Sequence, residues 1–112
     1  MSAAPQRDPF DALGDPQRRA ILELLRAGDR SVKDLADELP ISRPAVSRHL
    51  RLLKEAGLVA DRAEGTRRLY RLEDGGAEAV AAYLREVWGD AIARYRLVAE
   101  NATGSPERRT RR

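Results

Sequence analysis

A mainly α-helical fold with a single small β-hairpin is predicted by three features of this 112-residue chain. Capping residues paired with prolines recur at Asp15-Pro16 and at Ser42-Arg43-Pro44, each followed by apolar residues three and four apart. Two short runs, Leu58–Arg62 and Arg67–Leu72, flank Ala63-Glu64-Gly65-Thr66, a glycine-containing turn suited to a hairpin. From about Gly76 to Asn101 an apolar stripe returns every three or four residues over some three heptads, which predicts one long terminal helix.

The elements follow in order. Asp8 to Leu25 carries Phe10, Leu13, Ile21, Leu22, Leu24 and Leu25, and Asp15-Pro16 divides it into two short helices. Gly28 stands where the second closes. A third helix begins at Ser31, with Asp34 as the acid of a capping box and Val32, Leu35, Ala36 and Leu39 as its inner face, and Pro40 ends it. The fourth runs from Ser42 to Ala56, with Gly57 just beyond. At 100° per residue its sides separate. Ala45, Val46, Leu50, Leu52, Leu53 and Ala56 fall on one, while Arg43, Ser47, Arg51 and Lys54 fall on the other, with Pro44 and Arg48 at its edge. One side is core and the other is free to touch a partner. His49, on the apolar side, is read as a structural histidine hydrogen-bonded near the helix–hairpin junction.

Two helices joined by Leu39-Pro40-Ile41 and followed by a basic hairpin make a winged helix-turn-helix with a long C-terminal helix for dimerisation. A length of 112 residues suits one domain. We expect a flexible N-terminus over 1–7, a DNA-binding and dimerisation domain over 8–101, and a disordered, inert basic tail over 102–112. No internal repeat is present in the sequence.

Charge placement points to the partner. Residues 42–71 hold eight Lys or Arg against three Asp or Glu, whereas 1–41 hold six against eight. Nineteen of the 21 cationic residues are arginine, a bias of composition, so position carries more weight than number. A basic centre on a nearly neutral body suits double-stranded DNA. A helix fits the major groove with its first-turn side chains at base edges, and the preceding helix anchors across the backbone. Arg43 is the candidate for bidentate reading of guanine. Ser42 and Ser47 permit close approach and can bond a base edge or phosphate, while Arg48, Arg51 and Lys54 lie further along and are expected on phosphate. Arg62, Thr66, Arg67 and Arg68 on the wing are expected to follow the backbone or enter the minor groove.

Other chemistries are poorly supplied. The chain has no cysteine and one histidine, so neither a disulfide, a thiol switch nor an ordinary zinc site is expected. There is no glycine-rich phosphate loop and no nucleophile beside a base, so we expect no enzyme and no cofactor. The absence of an 18-residue apolar run and of a secretory signal at MSAAPQRDPF leads us to expect a cytoplasmic protein without a membrane partner. The competing function is a winged helix that binds another protein and antagonises a regulator. Such a surface would expose apolar anchors where Arg43, Ser47 and Arg51 stand.

The stretch SVKDLADELPISRPAVSRHLRLLKEAGLV, followed by GTRRLYRL and preceded by FDALGDPQRRAILELL, resembles the ArsR-type winged-helix regulators over about residues 8–101. The resemblance implies a homodimeric repressor, regulating its own gene, with a recognition helix at 43–56, a wing at 58–72, and DNA contacts at Arg43, Pro44, Ser47, Arg48 and the wing. It also implies that the first and last helices form the dimer interface, which assigns Phe10, Leu13, Leu84, Val87, Trp88, Ala91 and Tyr95. A terminal helix of some 25 residues, near 37 Å long, exceeds what one small body needs to cover, which agrees. Trp88 and Tyr95 are read as packing residues rather than a ligand pocket. A two-fold dimer predicts a pseudo-palindromic operator. The Cys-Val-Cys start of the third helix found in metal sensors of this family reads Ser31-Val32-Lys33 here, and the last helix has no histidine. The resemblance is thus to the metal-independent branch.

Overall fold

Among the described residues seven elements form, in the order α1 (Pro9–Leu13), α2 (Pro16–Leu25), α3 (Val32–Glu38), α4 (Arg43–Glu55), β1 (Val59–Glu64), β2 (Arg67–Leu72) and α5 (Asp74–Thr110). The computed structural model describes residues 6–110, with the side chains of Ile92 and of 102–110 left aside. The expectations for residues 1–5 and 111–112, and for the side chains of the basic tail, lie outside the described residues. The chain divides after Val80 into two units, with α5 crossing the division.

Local chemistry starts each helix of the first unit. Asp8 accepts from the Phe10 amide at 2.9 Å, and Asp15 from the Gln17 amide at 2.7 Å, so each satisfies a donor that the helix itself leaves unpaired. At α3 the capping box is complete: the Asp34 amide donates to Ser31 Oγ at 3.1 Å and the Ser31 amide donates to Asp34 Oδ2 at 3.0 Å. Ser31 is buried. Ser31→Ala is expected to cost about 0.5–2 kcal/mol, read by denaturant unfolding at neutral pH. The Ser31 amide, and then its hydroxyl, hold the Asp34 carboxyl below its ordinary value. The stabilisation from Asp34 is therefore present above the ordinary carboxylate range and is lost as pH falls through the lowered folded value.

The end of α4 is equally specific. Gly57 takes φ of +74°, its amide donates to the Lys54 carbonyl at 3.0 Å, and the Leu58 amide donates to the Leu53 carbonyl at 2.9 Å. These two bonds make a Schellman closure, which turns the chain into β1. The first turn of α5 rests on this corner, because the Gly76 amide donates to the Gly57 carbonyl at 2.7 Å. A Cβ at Gly76 would stand 2.3 Å from the Ala56 carbonyl oxygen, so only glycine permits the approach.

Ile21, Leu35, Val46, Leu50, Leu53 and Val59 are the largest fully buried side chains, and with Ala12, Leu25, Ala56 and Leu58 they form one core between the helices and the hairpin. The apolar side of α4 lies within it as expected, with Ala45 and Leu52 half-buried at its margins. β1 and β2 pair antiparallel from Val59↔Leu72 to Glu64↔Arg67, and Leu69 is buried.

Several boundaries differ from the sequence expectation. The turn has two residues, Gly65 and Thr66, rather than four, and β1 runs to Glu64 rather than Arg62. Of the two turn residues only Gly65 has positive φ, +63°, as a tight turn of the II′ kind requires, so pairing continues further toward the tip. Arg30 bridges Tyr70 through a pair of backbone hydrogen bonds of 3.1 and 2.8 Å, adding a third edge that no local pattern announces. Helix α2 ends at Leu25, ahead of Gly28, and α5 begins at Asp74 and extends to Thr110, beyond the expected end at Asn101. Arg7, expected in a flexible lead, donates its amide to the Glu55 carbonyl and its Nε to Glu55 Oε1, both at 3.2 Å.

In the second unit α5 exposes Tyr83, Leu84, Val87, Trp88, Tyr95, Leu97 and Val98. Tyr83 and Trp88 meet edge to face, with ring centroids 6.4 Å apart. No helix among the described residues is long and apolar enough to cross a membrane.

Candidate nucleic-acid interface

The polar side of α4 is set by its N-cap. Ser42 Oγ accepts from the Ala45 amide at 3.2 Å, and Arg43 and Pro44 fill the first turn. The buried row Val46, Leu50 and Leu53 then turns Arg43, Pro44, Ser47, Arg48, Arg51 and Lys54 outward, where all are exposed. Arg43, Arg48 and Arg51 form no ion pair among the described residues, so their guanidinium donors are open. No large apolar side chain of α4 is exposed.

The wing cations are in a different state. Arg62 is ion-paired with Asp29 and, at 3.8 Å, with Glu64; Arg67 stands 4.0 Å from Asp34. Asp29 raises the pKa of Arg62 by accepting its hydrogen bond. Lys54 Nζ reaches Asp61 Oδ1 at 2.9 Å, and Arg68 Nε reaches Asp61 Oδ2 at 2.8 Å. Arg68, and then Lys54, hold the Asp61 carboxyl below its ordinary range, so it is ionised at any physiological pH. Lys54, expected on phosphate, and Arg68, expected to follow the backbone or enter the minor groove, are thus both bonded to one carboxylate. No short-range pattern announces this, since Asp61 lies seven residues from each partner and only the hairpin and the end of α4 bring the three together. Thr66 sits exposed in the turn at the wing tip.

His49 is not at the helix–hairpin junction. Its Nδ1 lies 3.5 Å from an Arg18 Nη, beside the N-terminus of α2; arginine only donates, so Nδ1 accepts. Partial burial is the main cause that lowers its pKa, with Arg18 and Arg48 adding to this and Asp15 opposing. The imidazole belongs to the packing of α2 on α4 rather than to the exposed face. On α1, Phe10 is 40% exposed while Leu13 is half-buried against the core. Among the assigned α5 residues Leu84, Val87, Trp88, Ala91 and Tyr95 are all exposed. No group of three His, Cys, Asp or Glu side chains placed to hold a metal occurs among the described residues.

Two short helices at a tight corner, the second with a core side and an open basic side, followed by a hairpin wing, define a winged helix-turn-helix. Residues 15–61 match the profile of bacterial regulatory proteins of the arsR family, and the chain belongs to that family. It is 49% identical over 86 residues to the HTH-type transcriptional regulator Rv2034 of Mycobacterium tuberculosis, spanning 77% of this chain and 80% of that protein. It is 45% identical over 56 residues to the transcriptional repressor SdpR of Bacillus subtilis, spanning 50% of this chain and 62% of that one. Its fold is similar to the solution structure of the homodimeric winged helix-turn-helix DNA-binding domain of Mb0332 from Mycobacterium bovis, with a TM-score of 0.57, 36% identity and 75% of each chain covered.

Proposed function

We propose that this arsR-family protein is a cytoplasmic, homodimeric transcriptional repressor that binds a pseudo-palindromic DNA operator and acts without a metal or catalysis. The observation that carries the reading is the open face of α4, where Arg43, Arg48 and Arg51 stand exposed and unpaired among the described residues. Arg43 in the first turn reads a base edge; Ser42, Pro44 and Ser47 allow close approach; Arg48 and Arg51 contact phosphate. On the wing, Arg62, Thr66 and Arg67 follow the backbone. A second copy docks on Phe10 and on the apolar stripe of α5. The dimeric relative and the repressor relative support these assignments by similarity. Ser31-Val32-Lys33 offers no thiolate at the start of α3, which supports independence from metal. The lack of exposed apolar anchors on α4 disfavours a protein-binding surface.

Selection of bound sequences from a random duplex pool, with salt-titrated binding of the winner against random DNA, tests this reading. A symmetric motif with half-sites about 10–11 base pairs apart, bound at least about a thousandfold more tightly than random sequence, is expected. An unenriched pool with only weak binding would overturn it. Within the site, Arg43→Ala is expected to flatten base preference at one position of each half-site, at a cost of about 1–3 kcal/mol. Arg67→Ala is expected instead to weaken binding to all sequences and to lower the salt slope by about one. Equal losses on operator and random DNA for both variants would reject the division between reading and anchoring residues.

A further inference from the structure

The cations around the wing divide by what their carboxylate partners would lose. Asp34, facing Arg67 across 4.0 Å, has a side chain 40% exposed, so water can replace the arginine. The Asp61 side chain is only 8% exposed, and its two oxygens are used separately, Oδ1 by Lys54 and Oδ2 by Arg68. Moving either cation to a DNA phosphate breaks a charged hydrogen bond to this carboxylate, and moving both leaves it without its two protein partners. Lys54 lies in the last turn of α4 and Arg68 on β2, so the same carboxylate also joins the wing to the far end of that helix.

We infer that Asp61 is an affinity-limiting residue of the proposed DNA-binding surface: it withholds Lys54 and Arg68 from phosphate, which keeps affinity for DNA of any sequence low and leaves discrimination to the first turn of α4. Phosphate neutralisation supplies most of the affinity for any sequence. Two cations fewer per protomer therefore lower random and operator affinity together and leave the difference between them to the base contacts of the first turn of α4. The inference rests on the DNA-binding reading above.

The test is salt-titrated binding of the full-length protein to random duplex and to its selected operator. Asp61→Asn keeps the side-chain shape and removes the charge. It is expected to tighten random-DNA and operator binding alike, roughly tenfold near 0.1 M salt, and to steepen the salt slope by about one to two per protomer. The combined variant Lys54→Met, Asp61→Asn, Arg68→Met removes all three charges and is expected to reverse the gain, restoring the wild-type slope. It decides the matter even if Asp61→Asn folds poorly. A slope about two shallower than wild type in the combined variant would show that the cations already contact phosphate and overturn the inference, as would a folded Asp61→Asn protein without tighter random binding. Wild-type protein that binds no DNA would instead overturn the functional reading itself.

Discussion

Replacing Leu84 and Trp88 together by glutamine is expected to turn the protein into a monomer and to lower operator affinity by about 10²–10⁴, leaving residues 6–80 folded. Both side chains lie exposed on α5, Trp88 at 49%, and neither belongs to the buried core of the first unit. Leu84, Trp88, Ala91, Tyr95 and Val98 follow one another at steps of four, three, four and three, so they line one stripe of the helix. An apolar stripe of this length left in water is costly, and a second copy of the same stripe is the self-complementary cover that two-fold symmetry offers. The loss of affinity follows from linkage of the two recognition helices: in a dimer the second half-site binds intramolecularly, and that gain disappears with the partner. Sedimentation and operator binding on the same samples check both parts. A variant that stays dimeric would remove α5 from the interface; one that becomes monomeric with unchanged operator affinity would remove the paired-half-site mechanism.

Leu50→Ala is expected to destabilise the first unit by about 2–5 kcal/mol, a large share of the 5–15 kcal/mol or so that holds a typical domain folded. Leu50 is completely buried and shares the core with Ile21, Leu35, Val46 and Leu53. It lies on the buried side of α4, the helix that carries the open face. The cavity left by truncation would loosen the helix that presents Arg43, so DNA binding should fall at temperatures where the variant begins to unfold, with little change well below them. Denaturant unfolding followed by circular dichroism measures the first effect and binding over a temperature series the second. A loss below about 1 kcal/mol would mean that the core collapses around the gap, and that α4 is held mainly by its caps and its neighbours.

Helix starts, the two-sided character of α4 and the stripe of α5 were legible in the sequence, because each depends on residues within about four positions of one another. Ser31 and Asp34, or Ser42 and the Ala45 amide, meet wherever the chain turns into a helix. The same holds for the family signature, which is a run of such local features. The placement of Arg43, Ser47 and Arg51 on one side of α4 needed only the helical period.

Which cations remain free was decided by the tertiary structure alone. Arg62 finds Asp29 from 33 positions away, Arg7 finds Glu55 from 48, and Asp61 gathers Lys54 and Arg68 only because the hairpin folds back beside the end of α4. The Arg30–Tyr70 bridge and the approach of Gly76 to the Ala56 carbonyl have the same origin. Charge acts through space, so a sequence shows how many cations a basic segment holds. Only the packed fold shows which of them already have a carboxylate.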